Sequence, residues 1–281
     1  AEKGDKGSAL GAFEKALRLK KGDAQAIAHY AMALQKFGRG KDAISQIRKA
    51  CSIMPDSVEY QTNLAILLEE NQRFVDALAA YGKAVRMNPD VGYIWFRQGQ
   101  LLNRLKRYSD AIPVLEKAIS LPGSLGEYFY EMGLALHLSK RLEEALVNYN
   151  RALEKGYNTA ALQCNRGVIF KDLRKGGEAI MAFHSAVKMD PANVSYLNNL
   201  GAAALEIGLN TEALGCFEEA ARQNPKLPTA QNNIGNLLKD RARGMDALPY
   251  YRKAMELDPE NHDTVSNYLL CHMYLPDMNP K

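Results

Sequence analysis

Hydrophobic positions along the chain recur at three- and four-residue spacing in short runs, and each run is broken and resumed at a regular interval. The clearest copy of the pattern is Val194–Leu227. Leu197, Leu200, Gly201 and Ala204 fall on one helix face, Gly208 and Asn210 break it, Ala213, Leu214, Phe217, Ala220 and Ala221 form a second face, and Pro225 ends it. Displaced by its own thirty-four residues, the pattern recurs up and down the chain. Two helices per unit at such a period predict an all-α solenoid, because a lone helix pair cannot bury its apolar face and must stack on neighbours.

Columns at this period fix the register. An alanine taken to open each second helix recurs as Ala9, Ala43, Ala77, Ala111, Ala145, Ala179, Ala213 and Ala247. Seven residues later stand Ala16, Ala50, Ala84, Ala118, Ala152, Ala186, Ala220 and Ala254. A large residue lies between them: Phe13, Ile47, Tyr81, Leu115, Tyr149, Phe183, Phe217 and Tyr251. First helices carry a small residue at Ala31, Ala65, Gly99, Gly133, Gly167, Gly201 and Gly235. Small residues on paired helices let the backbones approach, and the large side chain fills the remaining gap. Pro113 and Pro249 are expected in the first turn of a second helix, where a missing N–H costs little.

The small-large-small pattern with its closing prolines at Pro55, Pro89, Pro191, Pro225 and Pro259 resembles the tetratricopeptide repeat. The resemblance implies a right-handed superhelical solenoid of antiparallel helix pairs. Seven full repeats are expected over Ala24–Ser57, Val58–Val91, Gly92–Leu125, Gly126–Thr159, Ala160–Asn193, Val194–Leu227 and Pro228–Asn261. Residues 1–23 read as a partial repeat, the end of a first helix and a second helix Ser8–Leu19 that should fray or dock. Residues 262–281 read as a capping helix and tail, with Leu269 replacing the small residue of its column. Without a polar capping helix at its start, the sequence reads as part of a longer protein. The proline register is lost at Pro122-Gly123-Ser124 and at Gly156-Tyr157-Asn158.

Composition narrows the function classes. With 36 basic and 32 acidic residues and no basic runs, nothing points to nucleic acid. No apolar run reaches membrane-spanning length and no signal peptide opens the chain. Cys51, Cys164, Cys216 and Cys271 are unpaired in spacing, so a reducing cytoplasm is expected, with no disulfide framework. Asn193-Val194-Ser195 is a glycosylation sequon at a repeat boundary and reads as a turn and cap. Gly38-Arg39-Gly40-Lys41 lacks phosphate-loop spacing, and no histidine pairs with another ligand at helical spacing. No catalytic motif, cofactor site or metal site is expected, and no enzyme activity is assigned to the chain.

A polar column remains that packing does not require. Asn63, Asn165, Asn199, Asn233 and Asn267 each precede the buried position of a first helix, and Asn198, Asn232 and Asn236 widen the strip. In the tetratricopeptide fold the first helices line a concave groove, so these amides are expected there, unmatched when empty. An amide both donates and accepts, so the ladder could hold the backbone of an extended peptide whatever its side chains. Tyr93, Phe96, Arg97 and Tyr130, with Arg104 and Glu131, are expected at the middle of the groove, aromatics and arginine being common binding hot spots. Trp95 reads as core.

Asn232-Asn233-Ile234-Gly235-Asn236-Leu237-Leu238-Lys239 resembles the repeats of the O-linked N-acetylglucosamine transferases, whose asparagines in this register hold protein substrates. Ser266–Leu270 followed by Tyr274-Leu275-Pro276-Asp277-Met278 is similar to the joint before the catalytic region of bacterial Spindly-like members. His29, Arg97 and Glu131 interrupt the ladder in this chain. Asn63 and Arg97 also fall in registers of a chaperone-type carboxylate clamp, but Thr62 and Tyr93 stand where its cations would be. The expected function is protein or peptide binding in the groove, as a scaffold or recognition arm. Alternatives are the repeat region of a larger glycosyltransferase and a self-assembling scaffold joined through its ends.

Overall fold

The computed structural model describes residues 10–15, 17 and 22–273. Among them every regular element is helical. Helix α1 includes residues 10–15 and 17. Antiparallel pairs follow: α2 (Ala24–Lys36) with α3 (Gly40–Ile53), α4 (Val58–Glu70) with α5 (Phe74–Met87), and α6 (Gly92–Arg104) with α7 (Tyr108–Ser120). Next come α8 (Gly126–Leu138) with α9 (Leu142–Glu154), α10 (Ala160–Asp172) with α11 (Gly176–Met189), α12 (Val194–Glu206) with α13 (Asn210–Gln223), and α14 (Pro228–Asp240) with α15 (Gly244–Leu257). Helix α16 (His262–Met273) is the last described. The helix Ser8–Leu19 and the segment Tyr274–Met278 lie partly or wholly outside the described residues, although Leu10, Phe13 and Leu17 pack on the adjoining core.

First helices start where capping chemistry asks. Asp23, Ser57, Thr159 and Asn193 accept backbone N–H bonds in the first turns of α2, α4, α10 and α12, and Pro228 opens α14. The Asn193 of the sequon is thus a cap. Second helices begin three residues before the alanine taken to open them: α7 at Tyr108 rather than Ala111, α15 at Gly244 rather than Ala247. Arg39, Arg73, Arg107, Arg141 and Arg243 stand just before these helices, and each guanidinium holds an acid in the first turn at 2.7–2.8 Å. That acid also faces the positive helix end. Pro113 and Pro249 therefore lie inside α7 and α15, not in the first turn, with their rings exposed.

The turn inside each repeat is built one way. Gly38, Gln72, Lys106, Lys140, Arg174, Gly208 and Ala242 all adopt φ between 58° and 81°, and only two of the seven are glycine. Beneath the turns, the small column packs on the large one. A Cβ added at Gly99, Gly133, Gly167, Gly201 or Gly235 would lie 2.5–2.8 Å from Leu115, Tyr149, Phe183, Phe217 or Tyr251 respectively. Those large side chains are essentially fully buried, each stabilising by about 1.5–3 kcal/mol.

The helices form two compact units dividing between Tyr157 and Asn158. Unit 1 runs through α9 and unit 2 starts with α10. Trp95 is half-buried against the core of unit 1, and its Nε1 donates to the Pro89 carbonyl at 2.8 Å. In α16 of unit 2, Leu269 is 55% exposed beside Leu270 and Met273.

Candidate functional site

In unit 2 the first helices α10, α12 and α14, with α16, set Asn165, Asn199, Asn233 and Asn267 one repeat apart, all half-buried. The amides are not idle. Asn233 Nδ2 donates to Asn198 Oδ1 at 2.9 Å, and Asn267 Nδ2 donates to Asn232 Oδ1 at 3.4 Å. Asn199 Nδ2 points to the Sγ of buried Cys164 at 3.4 Å, whose thiol burial pushes up. The expectation of an unmatched ladder is corrected: neighbouring helices stand close enough for a diagonal rung to form between them. A rung uses one donor and one acceptor, leaving the Nδ2 of Asn198 or Asn232 and the Oδ1 of Asn233 or Asn267 without another hydrogen bond among the described residues. Asn236 does something else, accepting the hydroxyl of buried Tyr251 at 2.8 Å.

Unit 1 is wired differently. Arg97 donates from Nη2 to Glu69 Oε2 at 3.1 Å and from Nη1 to the hydroxyl of Tyr93 at 2.9 Å. Glu69 is buried and also accepts the hydroxyl of Tyr81 at 2.9 Å, with Arg104 further out at 3.9 Å. One repeat on, buried Glu131 accepts from Asn103 Nδ2 at 2.8 Å and Gln100 Nε2 at 3.2 Å. Burial raises the Glu131 carboxyl above the ordinary carboxylate value, and those amides only partly oppose it.

The expected hot spots separate here. Tyr93 is 44% exposed and available at the surface. Phe96 is 4% exposed and stacks on Tyr128 with centroids 4.3 Å apart, so it belongs to the packing between repeats and not to the groove. Tyr130 is half-buried, tilted against Tyr149 and Tyr157. Asn63 is half-buried without a side-chain hydrogen bond to any described residue, while His29 is exposed. The carboxylate-clamp register is not assembled: the Thr62 hydroxyl donates into its own helix, to Val58 O at 2.8 Å, and Arg97 is held by Glu69. Glu69 and Asn103 were missed by column reasoning, yet they occupy one column themselves, at the end of successive first helices.

All four cysteines are free, with Cys164 and Cys271 buried. Among the described residues no group of three His, Cys, Asp or Glu side chains is arranged to hold a metal ion, and no helix is long and apolar enough to cross a membrane.

A tetratricopeptide-repeat family model matches residues 62–124 and 164–228. No curated protein matches the sequence. Among solved structures, YrrB, described as a tetratricopeptide-repeat protein with an unusual peptide-binding site, is 21% identical with a TM-score of 0.59, covering 66% of this chain and 96% of that one. A tetratricopeptide-repeat protein from Parabacteroides merdae is 14% identical with a TM-score of 0.63, covering 89% of this chain and 98% of that one. The Cut9–Hcn1 hetero-tetramer of the APC/C is 12% identical over 94% of this chain with a TM-score of 0.63, and the match spans 52% of that chain. At these identities the likeness is one of fold: an all-α tetratricopeptide-repeat solenoid.

Proposed function

We propose that this chain of tetratricopeptide repeats is a protein-interaction module whose unit 2 holds an extended peptide or protein segment along its first helices. The observation that carries the reading is the pair of rungs Asn198–Asn233 and Asn232–Asn267. Each rung fixes two amides and keeps an unused donor beside an unused acceptor, the complement of a peptide backbone. Packed helices lie about 8–10 Å apart and an extended strand advances about 3.3 Å per residue, so one rung serves about three ligand residues. The structure of YrrB, described as having an unusual peptide-binding site, is in keeping with such a use of the fold.

Each rung contributes about 0.5–1.5 kcal/mol net to a ligand bond, so single substitutions should barely register. Replacing Asn165, Asn199, Asn233 and Asn267 together by alanine should weaken peptide capture at least tenfold while the melting temperature moves little, alanine being a good helix former. The experiment compares peptide pull-down and thermal melts for wild type and the quadruple variant. N-methylating the captured peptide should hurt more than changing its side chains. Equal capture by the two proteins would refute the ladder and move attention to Tyr93 and Arg97.

The resemblance of Asn232–Lys239 to O-linked N-acetylglucosamine transferase repeats supports a narrower form, in which the module is the substrate-recognition arm of a larger glycosyltransferase. A second reading rests on α16: exposed Leu269, Leu270 and Met273 favour self-association through that face. Light scattering over a dilution series separates it from ligand binding.

A further inference from the structure

A cleft of unit 2 lies between α10 and α11, and it has a counterpart in unit 1 three repeat lengths earlier. In unit 1 its wall includes Gln61 and Leu64; 102 residues later the same places are taken by Gln163 and Arg166. In this column the other first helices carry Tyr30, Leu64, Gln98, Met132, Leu200, Ile234 and Tyr268, so Arg166 is its single charged member. A half-buried cation in an apolar column is costly unless something compensates it.

The protein orients this guanidinium but does not neutralise it. Arg166 Nη1 donates to Gln163 Oε1 at 2.9 Å, and Gln163, 7% exposed, donates from Nε2 to Asn158 Oδ1 at 2.9 Å. The guanidinium carbon lies 5.4 Å from the centroid of the Phe170 ring. Among the described residues its buried Nε finds no partner, its Nη2 makes no hydrogen bond, and no carboxylate forms an ion pair with it. Glu178 lines the same cleft without pairing to Arg166. The cleft, about 210 Å³, is completed by Met181, Ala182 and Ser185, and the Ser185 hydroxyl is spent on the Met181 carbonyl.

The geometry points to a binding site for a small, singly charged carboxylate that accepts hydrogen bonds from Arg166 and lays a short apolar stem against Phe170 and Ala182. A planar carboxylate matches the guanidinium edge, and charge assistance makes such bonds stronger than neutral ones. Glu178 at the rim sets the charge: a dianion such as phosphate would meet its repulsion. The same chemistry can arrive as a free short acid or as a glutamate side chain of a partner protein.

The test uses the full chain and follows the Arg166 side-chain N–H resonances and the melting temperature. Sodium acetate is titrated against sodium chloride at matched ionic strength, beside a blocked Gly-Glu-Gly tripeptide and inorganic phosphate. The wild type should show saturable binding of acetate, and Arg166→Leu should weaken it about ten- to hundredfold. Arg166→Lys should fall between, since it keeps the charge without the fork. Arg166→Leu alone should melt at or above the wild type, because it restores the apolar column. Tighter tripeptide than acetate assigns the site to a protein side chain, and the reverse assigns it to a free acid. Acetate acting no differently from chloride, phosphate binding more tightly than acetate, or a clearly lower melting temperature for Arg166→Leu would each overturn the site. The quadruple asparagine variant should bind acetate normally, which keeps this outcome separate from that of the ladder.

Discussion

Glu131 and Glu69 show how far a single residue's setting departs from its place in a column. Glu69 is answered by Arg97 and Tyr81, whereas Glu131 is held by amides alone. Its carboxyl, raised by burial, binds a proton more tightly folded than unfolded. The folded state then loses stability as pH rises from the ordinary carboxylate value through the raised one, and is steady above it. Unit 1 should therefore be more resistant to denaturant on the acidic side of that window, and the Glu131 carboxyl carbon should titrate above the ordinary carboxylate value by NMR. Glu131→Gln should flatten this part of the profile; a pH slope unchanged by the variant would refute the assignment. The asparagine column was readable from the sequence, but its pairing was not. Periodicity compares a residue with the one thirty-four places on, while the rungs join residues thirty-five apart and the Glu69–Arg97 pair spans twenty-eight. Phe96 escaped the pattern for a similar reason: what buries it is Tyr128, on the next first helix.

At the scale of the element, the number and order of helices follow from the apolar spacing, and their starts do not. Alanine marks where a second helix is buried; the arginine-acid pair one turn earlier marks where it begins. Those pairs are exposed and screened by solvent, so each adds little to stability. The turn before them is the costlier feature, because L-residues in the left-handed region give up about 1–2 kcal/mol. Ala242 has φ of 58° and no side-chain hydrogen-bonding group to offset this. Ala242→Gly should raise stability by about 1 kcal/mol, seen as a higher midpoint in urea, although glycine usually lowers it. A lower midpoint would show that the turn carries no strain.

For the whole molecule, thirty-four-residue repetition made the solenoid legible before any other feature. The division after Tyr157 falls at the missing proline of Gly156-Tyr157-Asn158, but the same loss at Pro122-Gly123-Ser124 lies inside unit 1, so the sequence did not mark the division. The proposed peptide-binding face left only the polar column, because a solvated face obeys no packing period. Helices in each unit pack mainly on their sequence neighbours, so damage should be local. Ala179 is fully buried, and Ala179→Leu should cost about 1–3 kcal/mol. Hydrogen exchange should quicken first in α10, α11 and α12, and a uniform loss of protection along the chain would contradict nearest-neighbour coupling.

The contact of each first-helix glycine with one large side chain bears on how such a chain can change its length over generations. Glycine at 99, 133, 167, 201 and 235 meets a ring or branched side chain from its own helix pair, so each pair brings both halves of the fit with it. Duplicating a whole pair by recombination reproduces the fit at once. Inserting one residue into a first helix ahead of its glycine instead turns the rest of that helix by about 100° and sets the glycine of that pair against the wrong neighbour. Gains and losses of thirty-four codons should thus be the mildest length changes open to this gene, milder than the gain of one.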